Sequence, residues 1–187
     1  MKKLVALMVA LTMVLGLASV ASAAEYPSKG ISVICPWGAG GGTDAVLRAF
    51  CEAMGKNLGV TLDFCHMLMK HDSPSYGLAL AASKGKLFGL HMNDGYGCKD
   101  DGLIFGSVNF ALAAEFIYYL KRYNYDGVVF FDTFPIREAA APETQANIDA
   151  FEAIREKVER IGVEKITEVV SKHDGISAQN LILEMLR

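Results

Sequence analysis

The chain has 187 residues, of which 21 are acidic and 18 basic, giving a formal net charge of −3 at pH 7. This length is sufficient for one domain with a hydrophobic core. The charges are mixed and form no basic stripe, so we expect no nucleic-acid partner. The four cysteines lack Cys-x-x-Cys spacing. Two alternatives therefore remain open for them, namely two disulfides or four buried thiols. The cysteines are Cys35, Cys51, Cys65 and Cys98.

The first 23 residues have the pattern of a secretory signal peptide. Lys2 and Lys3 precede an apolar run that extends to about Leu17, and the small-residue exit Ala21-Ser22-Ala23 follows. This order is typical of cleavage after Ala23, and the apolar run is short for a membrane span. We therefore expect a signal peptide over residues 1–23, an exported or periplasmic mature chain, and no membrane association after cleavage.

Strand and helix patterns alternate along the mature chain. Short β-branched or apolar runs predict strands at residues 30–35, 60–64, 86–91 and 128–132. Helices are predicted from Thr43 or Asp44 to Asn57, and at residues 74–84, 107–123 and 142–161, followed by one or two helices in 163–187 with a break at Gly175. Such alternation predicts an α/β fold with a parallel sheet and right-handed crossovers. The helix 142–161 carries an apolar stripe of Ile148, Phe151, Ile154 and Val158.

Acidic and imidazole side chains follow three successive predicted strands. Asp63 ends the second strand, with His66 three residues further on, His91 ends the third, and Asp132 ends the fourth. The carboxyl ends of parallel strands share one edge of the sheet, which is where α/β proteins bind ligands. The loop after His91 adds three further carboxylates, Asp94, Asp100 and Asp101, and its glycines Gly95, Gly97 and Gly102 permit tight folding. This ligand set favours Mg²⁺, Mn²⁺ or Co²⁺.

Each of these residues also has an ordinary structural interpretation. Asp132 alone is typical of a turn or helix cap, His91 alone of a core histidine, and the paired aspartates of a solvated loop. The coincidence at three strand ends is what favours a metal site. His71 and His173 are expected at the surface, and Met67 and Met69 are expected to pack in the core.

Four stretches from about residue 57 to about residue 157 resemble the C-terminal half of the xylose isomerase-like TIM barrels, which include sugar isomerases and epimerases. They are "LDFCH", "KLFGLHMNDGYGCKDDGLIFGS", "VVFFDTFPIRE" and the helix after "APETQANI". The resemblance implies a partial TIM-barrel domain over residues 57–187, with about four strands in the sheet, followed by C-terminal helices.

The resemblance also implies roles for individual residues. Asp63, His91 and Asp132 would bind the first divalent ion, and His66 and Asp100 would bind a second, catalytic ion. In many members the second-ion ligands are two aspartates separated by one residue, whereas here the order is Asp100-Asp101-Gly102, so the partner carboxylate stays open. The implied reaction is aldose–ketose isomerisation of a small sugar.

The resemblance is incomplete in one respect. Four strands are predicted where a barrel needs eight, and neither the family's first metal-binding glutamate nor its acid/base residues have a counterpart. Weaker ion binding and a truncated, inactive enzyme are therefore open alternatives. The two unpaired sheet edges predict marginal stability or self-association, with a homodimer that closes two half-barrels as one form.

A second resemblance covers the start of the chain. Residues 26–59, "YPSKGISVICPWGAGGGTDAVLRAFCEAMGKNLG", resemble the N-terminus of periplasmic substrate-binding receptors of the tripartite tricarboxylate transporter family. This implies a receptor-like βα unit over residues 24–56. Gly41, Gly42, Thr43 and Asp44 would bind a small carboxylate at a helix N-terminus. A solute-binding protein is thus the alternative function.

Overall fold

A computed structural model describes residues 31–34, 45, 46, 49 and 58–187. The strands are β1 (Ile31–Ile34), β2 (Leu58–Asp63), β3 (Leu87–Met92) and β4 (Val128–Phe131). The helices are α1 (Phe64–Met69), α2 (Pro74–Ser83), α3 (Phe110–Arg122), α4 (Ala140–Ile161), α5 (Val163–Ser171) and α6 (Gly175–Met185). The signal-peptide prediction and the predicted carboxylate-binding loop Gly41–Asp44 lie outside the described residues.

The four strands form one parallel sheet in the order β1-β2-β3-β4. Each strand thus pairs with its neighbour in sequence, as successive strands of an α/β barrel do. Asp63 is in register with His91, and His91 is in register with Phe130. The predicted α/β class, with parallel βα units in a partial barrel-like sheet and C-terminal helices, is confirmed.

The hydrophobic core lies between one face of the sheet and the helices. Leu62, Leu90 and Met92 supply the strand side of this core. Phe64 lies at its centre, with ring centroids 5.3 Å from both Phe105 and Phe116 in edge-to-face contacts, a favourable geometry for aromatic pairs. This packing covers one face of the sheet, so the ends of β2 and β3 can present polar groups.

The apolar stripe predicted on α4 is correct except at one position. Ile154 and Val158 are buried and Phe151 packs against the core, but Ile148 is 40% exposed. The buried position in that turn is Asn147, since residues 147, 151, 154 and 158 follow the helical period. The inclusion of Ile148 was therefore wrong, because a buried polar residue occupies the core-facing position.

The C-terminal segment forms two helices, and the break precedes Gly175. Asp174 caps α6 by accepting hydrogen bonds from the N–H groups of Ile176 and Ser177. His173, with a φ of 50°, ends the previous turn. Gly175 therefore begins a helix, whereas the sequence suggested that it would separate two.

Histidine, methionine and cysteine residues divide between the surface and the core. His71 and His173 are exposed and Met67 is buried in the core, as predicted. Cys65 is buried and Cys98 is exposed, and both are free thiols; Cys35 and Cys51 lie outside the described residues. Within the described part of the chain, no helix has the length and apolar character that crossing a membrane requires.

Candidate metal centre

Three side chains from three different strand ends converge at the carboxyl edge of the sheet. Asp63 ends β2, His91 lies near the end of β3, and Asp132 directly follows β4. Their ligand atoms all lie within 4.8 Å of one another. The Nδ1 atom of His91 lies 3.0 Å from Asp132 Oδ2 and 3.5 Å from Asp63 Oδ2. We call these three residues the triad.

Asp63 presents one oxygen to the triad because its other oxygen caps a helix. Oδ1 accepts a hydrogen bond of 3.0 Å from the N–H of His66 in the first turn of α1, the interaction that an N-cap aspartate makes. Oδ2 is buried and has no hydrogen-bond partner. Burial raises the pKa of the Asp63 carboxyl above its ordinary value, although the His66 N–H bond opposes this effect. A buried carboxylate oxygen without a donor is the expected state of a cation ligand.

The other two triad residues are positioned by the neighbouring strands. The N–H of Asp132 donates to the carbonyl oxygen of Met92 at 3.1 Å, which fixes the chain just beyond β4. The imidazole of His91 lies against the Phe130 ring, with the centroids 5.2 Å apart. All three ligands are thus held by sheet elements, which gives more precise geometry than flexible loops would.

His66 and Asp100 form a second pair beside the triad. His66 Nε2 lies 3.2 Å from Asp100 Oδ2, and both side chains are about one quarter exposed, at 28% and 26%. His66 Nδ1 and Asp100 Oδ1 are buried without hydrogen-bond partners. Both residues act electrostatically on Asp63. The structure therefore brings together all five predicted ligands, as a group of three and an adjacent pair.

The remaining carboxylates of the loop have structural roles. Asp94 is fully buried: its Oδ1 accepts from the Gly95 N–H and the Asn109 amide, and its Oδ2 accepts from the N–H groups of Val108 and Asn109. Asp101 Oδ2 accepts from the N–H of Tyr96 at 2.9 Å. The sequence grouped Asp94 and Asp101 with Asp100 as candidate ligands. In the structure the oxygens of Asp94 and Oδ2 of Asp101 accept hydrogen bonds from N–H groups of the loop instead.

Two buried amides near the site were not singled out from the sequence. Asn93 Oδ1 accepts from the N–H of Cys65 at 2.9 Å, which joins the end of β3 to α1. Asn147 Oδ1 accepts from the N–H of Phe105, while its amide donates to Glu143 Oε1 at 2.6 Å and to Thr133 at 3.3 Å. The burial of Asn147 could have been inferred from the sequence, because it lies on the same face of α4 as Phe151, Ile154 and Val158.

Cys65 lies close to the pair, and its thiol is directed at a backbone carbonyl. Its side chain is fully buried and its Sγ contacts the carbonyl oxygen of Lys99 at 3.7 Å. Burial raises the pKa of the Cys65 thiol to about 11, so the thiol is protonated at neutral pH in the metal-free chain. The oxygen and imidazole groups are therefore the donors that are available before an ion binds.

Gly102 permits the loop that carries Asp100 to approach the chain after β4. Its φ is +58°, and a Cβ placed there would lie 2.3 Å from the Phe134 ring. The left-handed backbone alone costs a non-glycine residue about 1–2 kcal/mol, and displacement of the ring adds to this. We predict that Gly102→Ala lowers the free energy of unfolding by roughly 2–4 kcal/mol, as measured by urea denaturation.

Gly85 offers a matched control for this prediction. Its φ is +63°, but an added Cβ would meet nothing within 4 Å. Gly85→Ala should therefore show the backbone cost alone. Equal losses in the two variants would contradict the role assigned to the contact between Gly102 and Phe134.

The parallel sheet, with carboxylate and imidazole groups at successive strand ends, defines an α/β barrel-type protein with a candidate site for divalent cations. The sequence profile described as xylose isomerase-like TIM barrel matches residues 29–161. The chain belongs to this family, because the match covers more than two thirds of its 187 residues. It is thereby a member of a superfamily of sugar isomerase- and epimerase-like proteins.

A comparison with curated proteins gave no match. The family match begins at residue 29 and therefore includes β1, in the segment that resembles the transporter receptors. That second resemblance and the domain boundary near residue 57 remain predictions.

Proposed function

We propose that the chain binds a divalent cation, Mn²⁺, Mg²⁺ or Co²⁺, through Asp63, His91 and Asp132, and that it acts on a small sugar in an isomerisation or epimerisation. The observation that carries this proposal is the convergence of the three ligand atoms within 4.8 Å. The unpartnered, buried Oδ2 of Asp63 supports it independently. This oxygen receives no hydrogen bond and has His91 Nδ1 3.5 Å away, so it is available to a cation.

The donor set fits the proposed ions. Two carboxylates with one imidazole match the preference of Mg²⁺ and Mn²⁺ for oxygen and of Co²⁺ for mixed ligands. When bound, such an ion supplies Lewis-acid polarisation of a sugar carbonyl. We propose His66 and Asp100 as ligands of a second cation, because each retains a buried atom without a partner.

The proposed ligand residues would hold the ions in the positions at which a sugar could bind. His91 is fixed by the Phe130 ring and Asp63 by the His66 N–H, so both hold their positions before a sugar arrives. Such preorganisation lowers the cost of orienting a reacting group. Five residues would thus bind ions, and none of them is proposed as a catalytic base.

Calorimetric titration of the EDTA-treated chain with Mn²⁺ tests ion binding. We expect saturable binding that is lost in His91→Asn, whereas His173→Asn, a change at an exposed histidine far along the chain, should bind normally. Equal binding by both variants, or none by the unaltered chain, would refute the triad as a cation site.

Turnover needs a separate measurement. We expect the Mn²⁺-loaded chain to interconvert an aldose and its ketose, or two epimers, as measured by chromatography over a panel of sugars. The conversion should disappear in His91→Asn. Binding of Mn²⁺ without conversion of any sugar would retain the metal site and reject the isomerase function.

We also propose that the mature chain is exported, on the signal-peptide pattern of residues 1–23. N-terminal sequencing of the protein recovered from an exporting host should begin at Ala24. An intact Met1 in the soluble fraction would reject export.

A further inference from the structure

Among the strands whose side chains the structure describes, β2 to β4, the inner face is most exposed at β4. Side chains alternate between the two faces of a strand, so Val128 and Phe130 share the face that carries His91, while Val129 and Phe131 pack toward the core. Val128 is 69% exposed and Phe130 is 53% exposed. On the same face, Thr61 of β2 and Gly89 of β3 are buried. Within β2 to β4, the exposed apolar surface of this face is therefore concentrated at β4.

The backbone at this edge has free hydrogen-bonding capacity among the described residues. The N–H of Asp132 points toward β3, because it donates to Met92. Successive residues of a strand direct their N–H and C=O groups to opposite sides, so Val129 and Phe131 direct theirs away from β3. No described strand pairs with β4 on that side, nor with β1 on its outer side. A parallel sheet with two such edges exposes two templates for strand addition.

The two edges are complementary to each other. Consider a second copy that is rotated by 180° about an axis parallel to the strands. Its β1 would lie beside β4 of the first copy, and the two strands would run parallel. The same rotation places its β4 beside the first chain's β1, so both contacts form at once, as a twofold interface requires. The four described strands of each copy together give eight, the number that closes an α/β barrel.

The candidate site also lies at this edge. Asp132 directly follows β4, and its side chain is 34% exposed. A strand added beside β4 would lie next to Asp132 and form the missing wall of the site. An unrelated protein would need two edge strands that run in the directions of β1 and β4. A second copy of the chain has such strands because they are its own β1 and β4.

We propose that the chain forms a twofold homodimer in which β4 of each copy pairs with β1 of the other, closing an eight-stranded barrel. Val128 and Phe130 become interior residues of this barrel. The dimer depends on the sheet and not on a bound ion, so its test is carried out in EDTA and is separate from the test of the metal site.

The mass of the full chain in solution is the first measurement. Light scattering after size-exclusion chromatography should give twice the chain mass. Amide hydrogen exchange, followed by NMR on the unaltered protein, should show protected N–H groups at Val129 and Phe131. Monomers throughout the concentration range would overturn the proposal, whether or not those amides are protected by another segment of the same chain.

Substitutions at β4 provide the second measurement. Val128→Glu adds a charge that is tolerated on an exposed monomer surface but buried in the closed barrel, so we expect the dissociation constant to rise at least about 100-fold. Ile176→Glu, at a 74% exposed position on α6, is the matched control and should remain dimeric. A dimer unaffected by Val128→Glu would place the interface elsewhere and overturn the proposal.

A backbone substitution separates strand pairing from surface polarity. Val129→Pro removes an N–H that faces the open edge, and Val129→Ala removes the same side chain but retains the N–H. We expect the proline variant to be monomeric and the alanine variant to be dimeric. If circular dichroism shows that the substituted chains are unfolded, two measurements on the unaltered protein decide whether the dimer forms. They are its mass and the protection of the Val129 and Phe131 amides.

Discussion

Replacing Asp63 by asparagine is expected to make the metal-free protein more stable while removing its response to divalent cations. The asparagine oxygen can still accept the His66 N–H, so the cap of α1 is kept. The change removes a buried charge whose second oxygen has no hydrogen-bond partner. Since burying an unpaired polar group costs about 1–3 kcal/mol, we expect a gain of about 1 kcal/mol.

The gain from Asp63→Asn should depend on pH. Burial raises the pKa of the Asp63 carboxyl in the folded chain. A group whose folded pKa is raised favours folding at pH values below its unfolded pKa, where it is protonated, and that contribution is lost as pH rises through the folded pKa. The advantage of asparagine should therefore be largest at neutral pH and should shrink on acidification toward the ordinary pKa of aspartate.

Thermal melts in EDTA and in excess Mn²⁺ provide the measurement. A cation present at about 100 times its dissociation constant stabilises by about 2.7 kcal/mol, which corresponds to roughly 5–10 °C for a chain of this size. We expect this rise in the unaltered chain and no rise in Asp63→Asn. Asp126→Asn, at an exposed aspartate, should behave like the unaltered chain.

Two outcomes would contradict this account of Asp63. A Mn²⁺-induced rise that persists in Asp63→Asn would remove Asp63 from the ligand set. A loss of several kcal/mol in EDTA would show instead that the charged carboxylate stabilises the fold through its contact with His91.

The strand ends were predictable because parallel pairing leaves little freedom. Once the residues Asp63, His91 and Asp132 are assigned to the ends of successive parallel strands, a common edge follows from topology alone. The register then places their side chains together without any further information from the sequence. This is why the triad could be proposed before its distances were measured.

The loop between β3 and α3 was not predictable to the same degree. Asp94, Asp100 and Asp101 are equivalent in type, and only the folded loop decides which of their oxygens receive N–H donors. Asp94 is distinguished by a backbone bridge to Leu103, with hydrogen bonds of 2.8 and 3.0 Å in both directions. Such pairing depends on loop geometry that residue spacing does not determine.

The short helix α1 was missed for a related reason. Its six residues are too few to show a helical period, and most of them are apolar. The feature that creates it is the cap by Asp63, which the sequence analysis assigned only to ion binding. One residue therefore has two functions, one for each carboxylate oxygen.

Replacing Asp94 by alanine should produce the largest loss of stability. The substitution leaves the N–H groups of Val108 and Asn109 without their acceptor at the start of α3. The backbone bridge between residue 94 and Leu103 is retained. Hydrogen bonds to a charged group contribute about 1.5–3 kcal/mol each. We expect the free energy of unfolding in urea to fall by about 3–4 kcal/mol.

The triad should survive this change if the sheet alone holds it. Under native conditions, the Mn²⁺-induced rise in melting temperature should persist in Asp94→Ala, because Asp63, His91 and Asp132 are positioned by strands. Asp126→Ala, at an exposed aspartate, controls for the loss of one negative charge. A small loss of stability combined with loss of the Mn²⁺ response would mean that Asp94 binds the ion, as its place after β3 first suggested, and that the loop is closed by other contacts.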